Sequence, residues 1–308
     1  DLEKKVWVEK FCDHIDLPLT ALPELVPCRG DFGIIHKDHP FGGVAIQALL
    51  GDQQAATLGQ LCIQKGEAKC TYGTGAFLVV NTGDEIYRSQ SGLLSTLGWT
   101  DEKGLATYCL EGSIFNAGTV VQWLRDGLGI IKNANEVNTL ANEVTSSEGV
   151  MIVPAFTGWG TPHWDPNARG LIIGLTRDSN KGHIARAALE GIALSVATLT
   201  ELAEQALNKK LEELAVDGGA AASDLLLQSQ SDSTGLNIRR PSNLESTARG
   251  VALLAGLQAK VISNLEALVP QTQKESTVFS PKTDKNQRIA RLSRWNEAVK
   301  RSLQWHDQ

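Results

Sequence analysis

The sequence lacks the features that would assign it to several special classes of protein. No uninterrupted apolar stretch approaches the roughly 18 residues of a membrane-spanning helix. The 29 Lys and Arg residues are outnumbered by 35 Asp and Glu, which gives a net charge of −6 and no overall basic surface for nucleic acid. Apolar residues at 42% and charged residues at 21% are ordinary globular values, so the composition excludes a disordered or fibrous chain.

Cysteine and methionine are also scarce. The five cysteines are an odd number without a C-x-x-C pair, so we expect a reduced, cytoplasmic protein without disulfides. His36 and His39 are spaced like half of a metal site, but they lie beside Pro and Gly residues, where we expect a polar surface turn. The single methionine is Met151, so we expect a processed chain or a piece of a longer protein.

What is present predicts an α/β protein with mixed sheets. A length of 308 residues suggests about two domains. The first part of the chain predicts a short amphipathic helix over 1–16 and a connecting loop over 17–42. A buried strand over Gly43–Leu50 and a helix over Gln53–Ile63 follow.

The middle of the chain predicts a hairpin, in which Ala68–Tyr72 and Ala76–Asn81 flank a turn at Gly73–Gly75. A helix is expected over Ser113–Leu128, and a longer one follows Asp178.

The C-terminal part predicts a βαβ unit with two parallel strands, Leu214–Asp217 and Leu236–Arg239, joined by a helix over 220–233. Further helices are expected over 245–260 and 285–305. The last of these carries a basic stripe that we interpret as solvated surface, formed by Arg288, Arg291 and Arg294.

Four glycine-containing or strand-end motifs are candidate sites. In the first, Asp52 follows the predicted strand and is either a base that takes a proton from a substrate hydroxyl or a helix N-cap. Its neighbour Gln53 is either an amide ligand or a solvated first-turn residue. In the second, Tyr72–Phe77, the turn around Thr74 is either a phosphate cradle or a tight hairpin, and Phe77 is either a pocket wall or core.

The third and fourth motifs are candidate nucleotide contacts. Gly118 and Gln122 are four residues apart on one predicted helix face, where either a flat ring or a packed helix would explain the glycine. Gly218 and Gly219 end a strand and open a helix, which makes a notch lined by N–H groups. Ser223, on the first turn of that helix, either faces the notch or is an ordinary polar residue.

These motifs together resemble the FGGY family of carbohydrate kinases, and within it the members that phosphorylate glycerol. The similarity runs in order along almost the whole chain, through GDQQAATLGQ, TYGTGAFLVVNTG, EGSIFNAGTVVQWLRD, VPAFTGWGTPHWDPNARG, LEGIAL and VDGGAAASDLLLQSQSD. It implies the actin/hexokinase-like ATPase fold, built on ribonuclease-H-like mixed sheets with flanking helices. It also implies ATP and Mg²⁺, and a homodimer or homotetramer of the full protein.

The resemblance assigns a role to each candidate residue. Asp52 is implied to be the catalytic base, and Gln53 and Phe77 to contact glycerol with it. The implied nucleotide contacts are Thr74, Gly118, Gln122, Gly219 and Ser223. The family usually has Asn where this chain has Ser223. No protein metal ligand is implied in this chain.

The resemblance also implies a division of the chain. Residues 1–50 are expected to be the end of an N-terminal lobe with its connection, 51–262 the C-terminal kinase lobe, and 263–308 a helical extension. Nothing in the chain matches the family's N-terminal phosphate loop, so we expect a fragment that is inactive by itself. Two alternatives remain open: a kinase for another polyol or a ketose, and a non-catalytic nucleotide-binding module.

Overall fold

The structure is a computed structural model that describes residues 1–88 and 90–305. Its strands are β1 Ala68–Tyr72, β2 Ala76–Gly83, β3 Leu94–Thr100, β4 Ala106–Ile114, β5 Met151–Val153, β6 Leu171–Ile173, β7 Glu213–Asp217, β8 Asn237–Arg240 and β9 Thr277–Phe279. Its α-helices are α1 Glu9–His14, α2 Asp52–Gly59, α3 Gly118–Gln122, α4 Glu136–Ala141, α5 Lys181–Leu207, α6 Asp224–Thr234, α7 Ser246–Gln258, α8 Val269–Lys274 and α9 Lys285–Ser302.

One mixed sheet carries most of the strands, in the order β3-β4-β2-β1-β7-β8-β9. β1, β7 and β8 run parallel, whereas the remaining neighbours in this sheet pair antiparallel. β5 and β6 form a separate antiparallel pair. The predicted mixed α/β class is therefore confirmed, and so are the hairpin of β1 and β2 and the parallel βαβ unit of β7, α6 and β8.

The two faces of the main sheet differ in polarity. Since successive side chains of a strand point to opposite faces, Ala68, Cys70 and Tyr72 of β1 face the main core beneath α5 and α6. Lys69 and Thr71 face the other way, toward α2. This second face carries the polar groups of the candidate site.

Helices α2 and α7 cross in backbone contact above this polar face. A Cβ atom added at Gly250 of α7 would lie 1.8 Å from the carbonyl oxygen of Ala55, and one at Gly59 of α2 would lie 1.9 Å from the carbonyl oxygen of Ser246. The two glycines therefore set the separation of the helices, and α7 fixes the position of α2.

The long helix α5 confirms the prediction from apolar periodicity. It begins at Lys181 after a capping box of Asn180 and His183, and it ends before Asn208 in the left-handed conformation. All seven residues whose spacing predicted it are buried: Ala185, Ala188, Leu189, Ile192, Val196, Leu199 and Ala203.

Two predicted elements near the start of the chain are wrong. The first helix spans Glu9–His14 rather than 1–16. Gly43–Leu50 is not a buried strand but one side of an irregular exposed ribbon, linked to residues 29–35 by bonds such as Ile46 N–H to Gly33 O. A short apolar run does not by itself indicate whether a partner covers it.

The helix predicted over Ser113–Leu128 is also wrong at its start. Ser113 and Ile114 are the last residues of β4, because they pair with Phe77 and Ala76 of β2. α3 begins only at Gly118 and passes at Trp123 into a single π-helical turn. Pairing with a distant strand overrides the local pattern here.

The basic stripe of α9 is not simply solvated surface. Arg291 lies 2.9 Å from Glu190 of α5, and that carboxylate also accepts hydrogen bonds from Arg186 and Ser147. The Arg294 guanidinium packs beside Gly149, and that of Arg288 beside Gly235. The stripe therefore helps to attach α9 to the body of the protein.

Candidate active site

Backbone hydrogen bonds hold the β1–β2 turn against the start of α3. The N–H groups of Ala117 and Gly118 donate to the carbonyl oxygens of Thr74 and Gly73 at 2.8 and 2.9 Å. Thr119 donates to the same Thr74 oxygen, through its N–H at 3.3 Å and its hydroxyl at 3.2 Å. The second and third candidate motifs, which are far apart in the sequence, are therefore neighbours.

The fourth motif adjoins the same turn. Gly218 has a φ of +85°, and a Cβ there would lie 2.5 Å from the carbonyl oxygen of Tyr72, the last residue of β1. A Cβ at Gly219 would meet no atom within 4 Å. Packing therefore explains Gly218, whereas the space at Gly219 is open, as expected of a notch that receives a ligand.

Packing also explains Gly118. A Cβ there would lie 2.5 Å from the carbonyl oxygen of Gly73, so the missing side chain makes room for the β1–β2 turn. Gln122, at the end of α3, and Thr74, in the turn, are both exposed. Their side chains are accessible to a ligand.

Asp52 is the first residue of α2 and is exposed. Its interpretation as an N-cap is wrong, because the N-cap residue is Gly51. Among the described residues, the Asp52 Oδ1 atom accepts only the adjacent N–H of Gln53, at 2.8 Å. The carboxylate is therefore accessible at the start of a helix, and capping does not explain its presence.

The Gln53 side chain is hydrogen-bonded by a lysine, Lys69, that belongs to none of the four motifs. The Lys69 Nζ atom donates to Gln53 Oε1 and, at 2.8 Å, to Thr71 Oγ1. Phe77 lies directly opposite Thr71 in the β1–β2 register and is half-buried. Gln53 and Phe77 are thus connected to the same short stretch of β1, two residues before the glycine turn.

Electrostatic interactions link these groups to two further carboxylates. Burial lowers the pKa of Lys69, and the nearby charge of Asp217 opposes that shift. The pKa of Glu111 on β4 is raised, mainly by burial and also by the negative charge of Asp52. The positive charge of Lys69 opposes this shift. Asp217 is itself bonded by Gln60 Nε2 at 3.1 Å. One lysine is therefore shared among several carboxyl groups.

Ser223 does not lie on the first turn of α6, as the sequence suggested, but is its N-cap. Its hydroxyl group accepts a hydrogen bond from the N–H of Leu226 at 3.1 Å, and its O–H donates to Asn138 Oδ1 of α4. The side chain is 6% exposed. Its hydroxyl therefore already has two protein partners.

Replacing Ser223 by Ala is expected to destabilise the protein by about 1 kcal/mol, because the variant loses the N-cap of α6. Urea unfolding measures this change. Ser223→Asn is the matched control, since Asn is an equally good N-cap and is expected to keep the stability near wild type. Equal stability of Ser223→Ala and wild type would contradict the capping role.

Lys69 was detectable in the sequence only as a charged residue within a predicted strand. It stands between Ala68 and Cys70, and lysine is unfavourable in strands that are buried on both faces. Burial and the contact with Gln53, sixteen residues earlier, are tertiary features. Local patterns therefore gave no reason to assign it a role.

Among residues 1–88 and 90–305, no group of three or more His, Cys, Asp or Glu side chains is placed to hold a metal ion. His36 and His39 lie in the exposed turn that the sequence predicted. In the same part of the chain, no helix is long and apolar enough to cross a membrane.

Comparisons with known proteins agree with the arrangement of these motifs. The model of the FGGY family of carbohydrate kinases, C-terminal domain, matches residues 68–259. A glycerol kinase of Acinetobacter baylyi is 44% identical over 302 residues, which are 98% of this chain and 61% of the relative. A glycerol kinase of Bdellovibrio bacteriovorus is 46% identical over 296 residues, 96% of this chain and 60% of the relative.

Solved structures share the fold. A crystal structure of Plasmodium falciparum glycerol kinase with ADP superposes with a TM-score of 0.89 at 34% identity, covering 98% of this chain and 61% of that one. A ligand-bound xylulose kinase from Lactobacillus acidophilus reaches a TM-score of 0.78 at 20% identity, over 96% and 60% of the two chains. The chain thus spans about 60% of the length of the proteins it matches.

Proposed function

Because this chain belongs to the FGGY family of carbohydrate kinases and has the expected actin/hexokinase-like fold, we propose that it is the C-terminal part of an enzyme that transfers a phosphoryl group from ATP to glycerol. The curated relatives that match it are glycerol kinases, and it spans about 60% of their length. Residues 51–262 are proposed as the C-terminal lobe, 1–50 as the end of the preceding lobe and 263–308 as a helical extension.

One observation supports this function most strongly: four motifs that are separated in sequence all adjoin β1 or the turn that follows it. The Gly73–Gly75 turn contacts α3, and Tyr72, just before that turn, lies against Gly218. Lys69 connects the same strand to Gln53, next to Asp52. An accessible carboxylate and an open glycine notch thus adjoin the same strand. This is the arrangement that phosphoryl transfer to an alcohol requires.

In the proposed reaction, Asp52 takes the proton of a glycerol hydroxyl while that oxygen forms a bond to the γ-phosphorus of ATP. The bond between this phosphorus and the β–γ bridging oxygen breaks, and ADP leaves. Gln53 and Phe77 position glycerol. The nucleotide contacts are proposed at Thr74, Gly118, Gln122, Gly219 and Ser223, of which Gly219 has the open space and Ser223 would have to share its hydroxyl.

Mg²⁺, when bound, neutralises phosphate charge. It is commonly held by one or two carboxylates together with phosphate oxygens. In this chain no side chain is proposed as a direct ligand, because Asp52 has to remain free to take a proton, so phosphate oxygens of ATP would hold the ion.

An additional lobe is the proposed partner of residues 1–50. More than half of the exposed large apolar side chains in the described part of the chain lie in this segment, among them Phe11, Ile34 and Phe41. Isolated exposed apolar residues are common, but such a concentration is typical of an interaction surface. Homo-oligomerisation and a cytoplasmic location are also proposed, the latter supported by five free cysteines.

The full-length enzyme is expected to phosphorylate glycerol with a kcat/KM at least about tenfold higher than erythritol or xylulose, and the chain of 308 residues alone is expected to show negligible turnover. Coupled ADP-release assays measure both. A preference for xylulose or erythritol would instead favour the alternative of a kinase for another polyol or a ketose.

Calorimetry with ATP distinguishes the remaining alternative, a non-catalytic nucleotide-binding module. ATP binding without turnover on any of the three acceptors, in the full-length protein, would contradict the proposed kinase. Efficient glycerol phosphorylation by the 308-residue chain alone would contradict the need for a second lobe.

A further inference from the structure

Lys69 is the second residue of β1 and has no exposed surface. Burying an ammonium group is costly unless it is paired and hydrogen-bonded. The cross-strand partners of Lys69, Val79 and Ala215, which share its face of the sheet, are apolar, so an apolar side chain would be compatible with both. A lysine at this position therefore calls for an explanation other than packing.

The ammonium group of Lys69 makes its hydrogen bonds on the side of the sheet that carries the candidate site. It donates to Gln53 Oε1 in the first turn of α2 and to Thr71 Oγ1 on its own strand. The carboxyl groups of Asp217 and Glu111 lie within electrostatic reach of it. Asp217 is already bonded by Gln60, so the contact that depends most on Lys69 is the one with Gln53.

The chemistry of the two side chains fixes the orientation of the Gln53 amide. An ammonium group has three donors and no acceptor, so it can face only the oxygen of an amide. With Oε1 held against Lys69, the Nε2 group is directed elsewhere. The face of Gln53 that remains for a ligand is then a donor of two N–H groups rather than an acceptor.

We propose that Lys69 is a positioning residue, which holds the Gln53 amide so that Nε2 donates to a hydroxyl oxygen of the acceptor substrate. The inference rests on the proposed function and assigns Lys69 a role in substrate specificity. Lys69 does not touch the substrate. It acts through Gln53, and its removal affects acceptor binding rather than the phosphoryl transfer step.

The test is Lys69→Met in the full-length enzyme, because Met has similar length and no donor. The KM for glycerol is expected to rise about tenfold, the equivalent of one well-oriented hydrogen bond, while kcat changes less than about threefold. Lys65→Met is the matched control: Lys65 is an exposed lysine that pairs with Glu85, and its variant is expected to keep wild-type kinetics.

A double-mutant cycle separates positioning from a general loss of structure. In a Gln53→Ala background, Lys69→Met is expected to have no further effect on the KM for glycerol. Propane-1,2-diol and propane-1,3-diol each lack one hydroxyl of glycerol, and the diol without the contacted hydroxyl is expected to be insensitive to Lys69→Met. An equal loss on all three acceptors, or full additivity in the cycle, would overturn the proposal.

Gln53→Glu keeps the test decisive if Lys69→Met does not fold. A carboxylate still pairs with Lys69 but has no N–H, so the KM for glycerol is expected to rise as much as in Gln53→Ala; a wild-type KM would overturn the proposal. If the wild-type enzyme phosphorylates none of the acceptors, the proposed function fails. If it phosphorylates glycerol but Lys69→Met does not change the KM, only the role of Lys69 fails.

Discussion

Replacing Asp52 by Asn is expected to lower the turnover of the full-length enzyme by a factor of about 10² to 10⁴, the usual contribution of a general base. Asn has the same size and keeps an oxygen for the Gln53 N–H, so the start of α2 is preserved. What it loses is the ability to take the proton of the attacking hydroxyl. Nucleotide affinity is expected to stay within about twofold of wild type, because the glycine motifs are unchanged.

Turnover is measured with saturating glycerol and ATP, and nucleotide affinity by calorimetry on the same preparation. Asp178→Asn is the matched control, since Asp178 is an exposed carboxylate outside the candidate site, in the turn before α5. It is expected to have wild-type turnover. If Asp52→Asn also retained wild-type turnover, Asp52 would have no role as the base.

Gly250→Val is expected to have the largest effect on stability, a loss of about 3 kcal/mol in the free energy of unfolding, at the upper end for overpacking. The added Cβ would lie 1.8 Å from a backbone oxygen of α2, and backbone cannot rotate away as a side chain can. Helix α2 would have to move, and Asp52 with it. Loss of activity in the full-length protein is therefore expected to accompany the loss of stability.

Urea unfolding monitors the change, with Gly219→Ala as the matched control. A Cβ at Gly219 meets no atom within 4 Å and its φ is not in the left-handed region, so this variant is expected to unfold near the wild-type midpoint. A wild-type midpoint for Gly250→Val would mean that α2 and α7 are not held at the separation described above.

The elements that could be predicted from the sequence are those whose signals are local. Gly73–Gly75 between two apolar runs is enough to predict the β1–β2 hairpin, and Gly218 and Gly235 bracket the helix of the βαβ unit. The 27 residues of α5 carry many turns of apolar periodicity, so its prediction was also correct. An antiparallel hairpin and a parallel βαβ unit together predict a mixed sheet.

The errors occur where distant parts of the chain decide the conformation. Ser113 and Ile114 resemble the start of a helix, yet β2 draws them into the sheet. Gly43–Leu50 resembles a core strand, yet five of its eight residues are exposed. Arg291 resembles a surface residue of α9, yet it meets Glu190 of α5. Local propensity contains no information about such partners.

The candidate site was predictable to the same extent. The motifs around Asp52, Thr74 and Gly219 could be recognised because glycine and carboxylate patterns are compact in sequence. The sequence predicted Ser223 within the first turn of α6, although it is the N-cap of that helix. Lys69 could not be assigned, because its importance depends on burial and on a partner in another element.

The attachment of the β1–β2 turn to α3 has a consequence for mutation. The bonds from Ala117 and Gly118 to Thr74 and Gly73 join main-chain atoms only, so they do not depend on the identity of the side chain at Thr74. The residue at position 118, in contrast, has to be glycine, because a Cβ there would lie 2.5 Å from the carbonyl oxygen of Gly73. If Thr74 contacts the nucleotide as proposed, a mutation there can change that contact while the backbone of the loop stays in place.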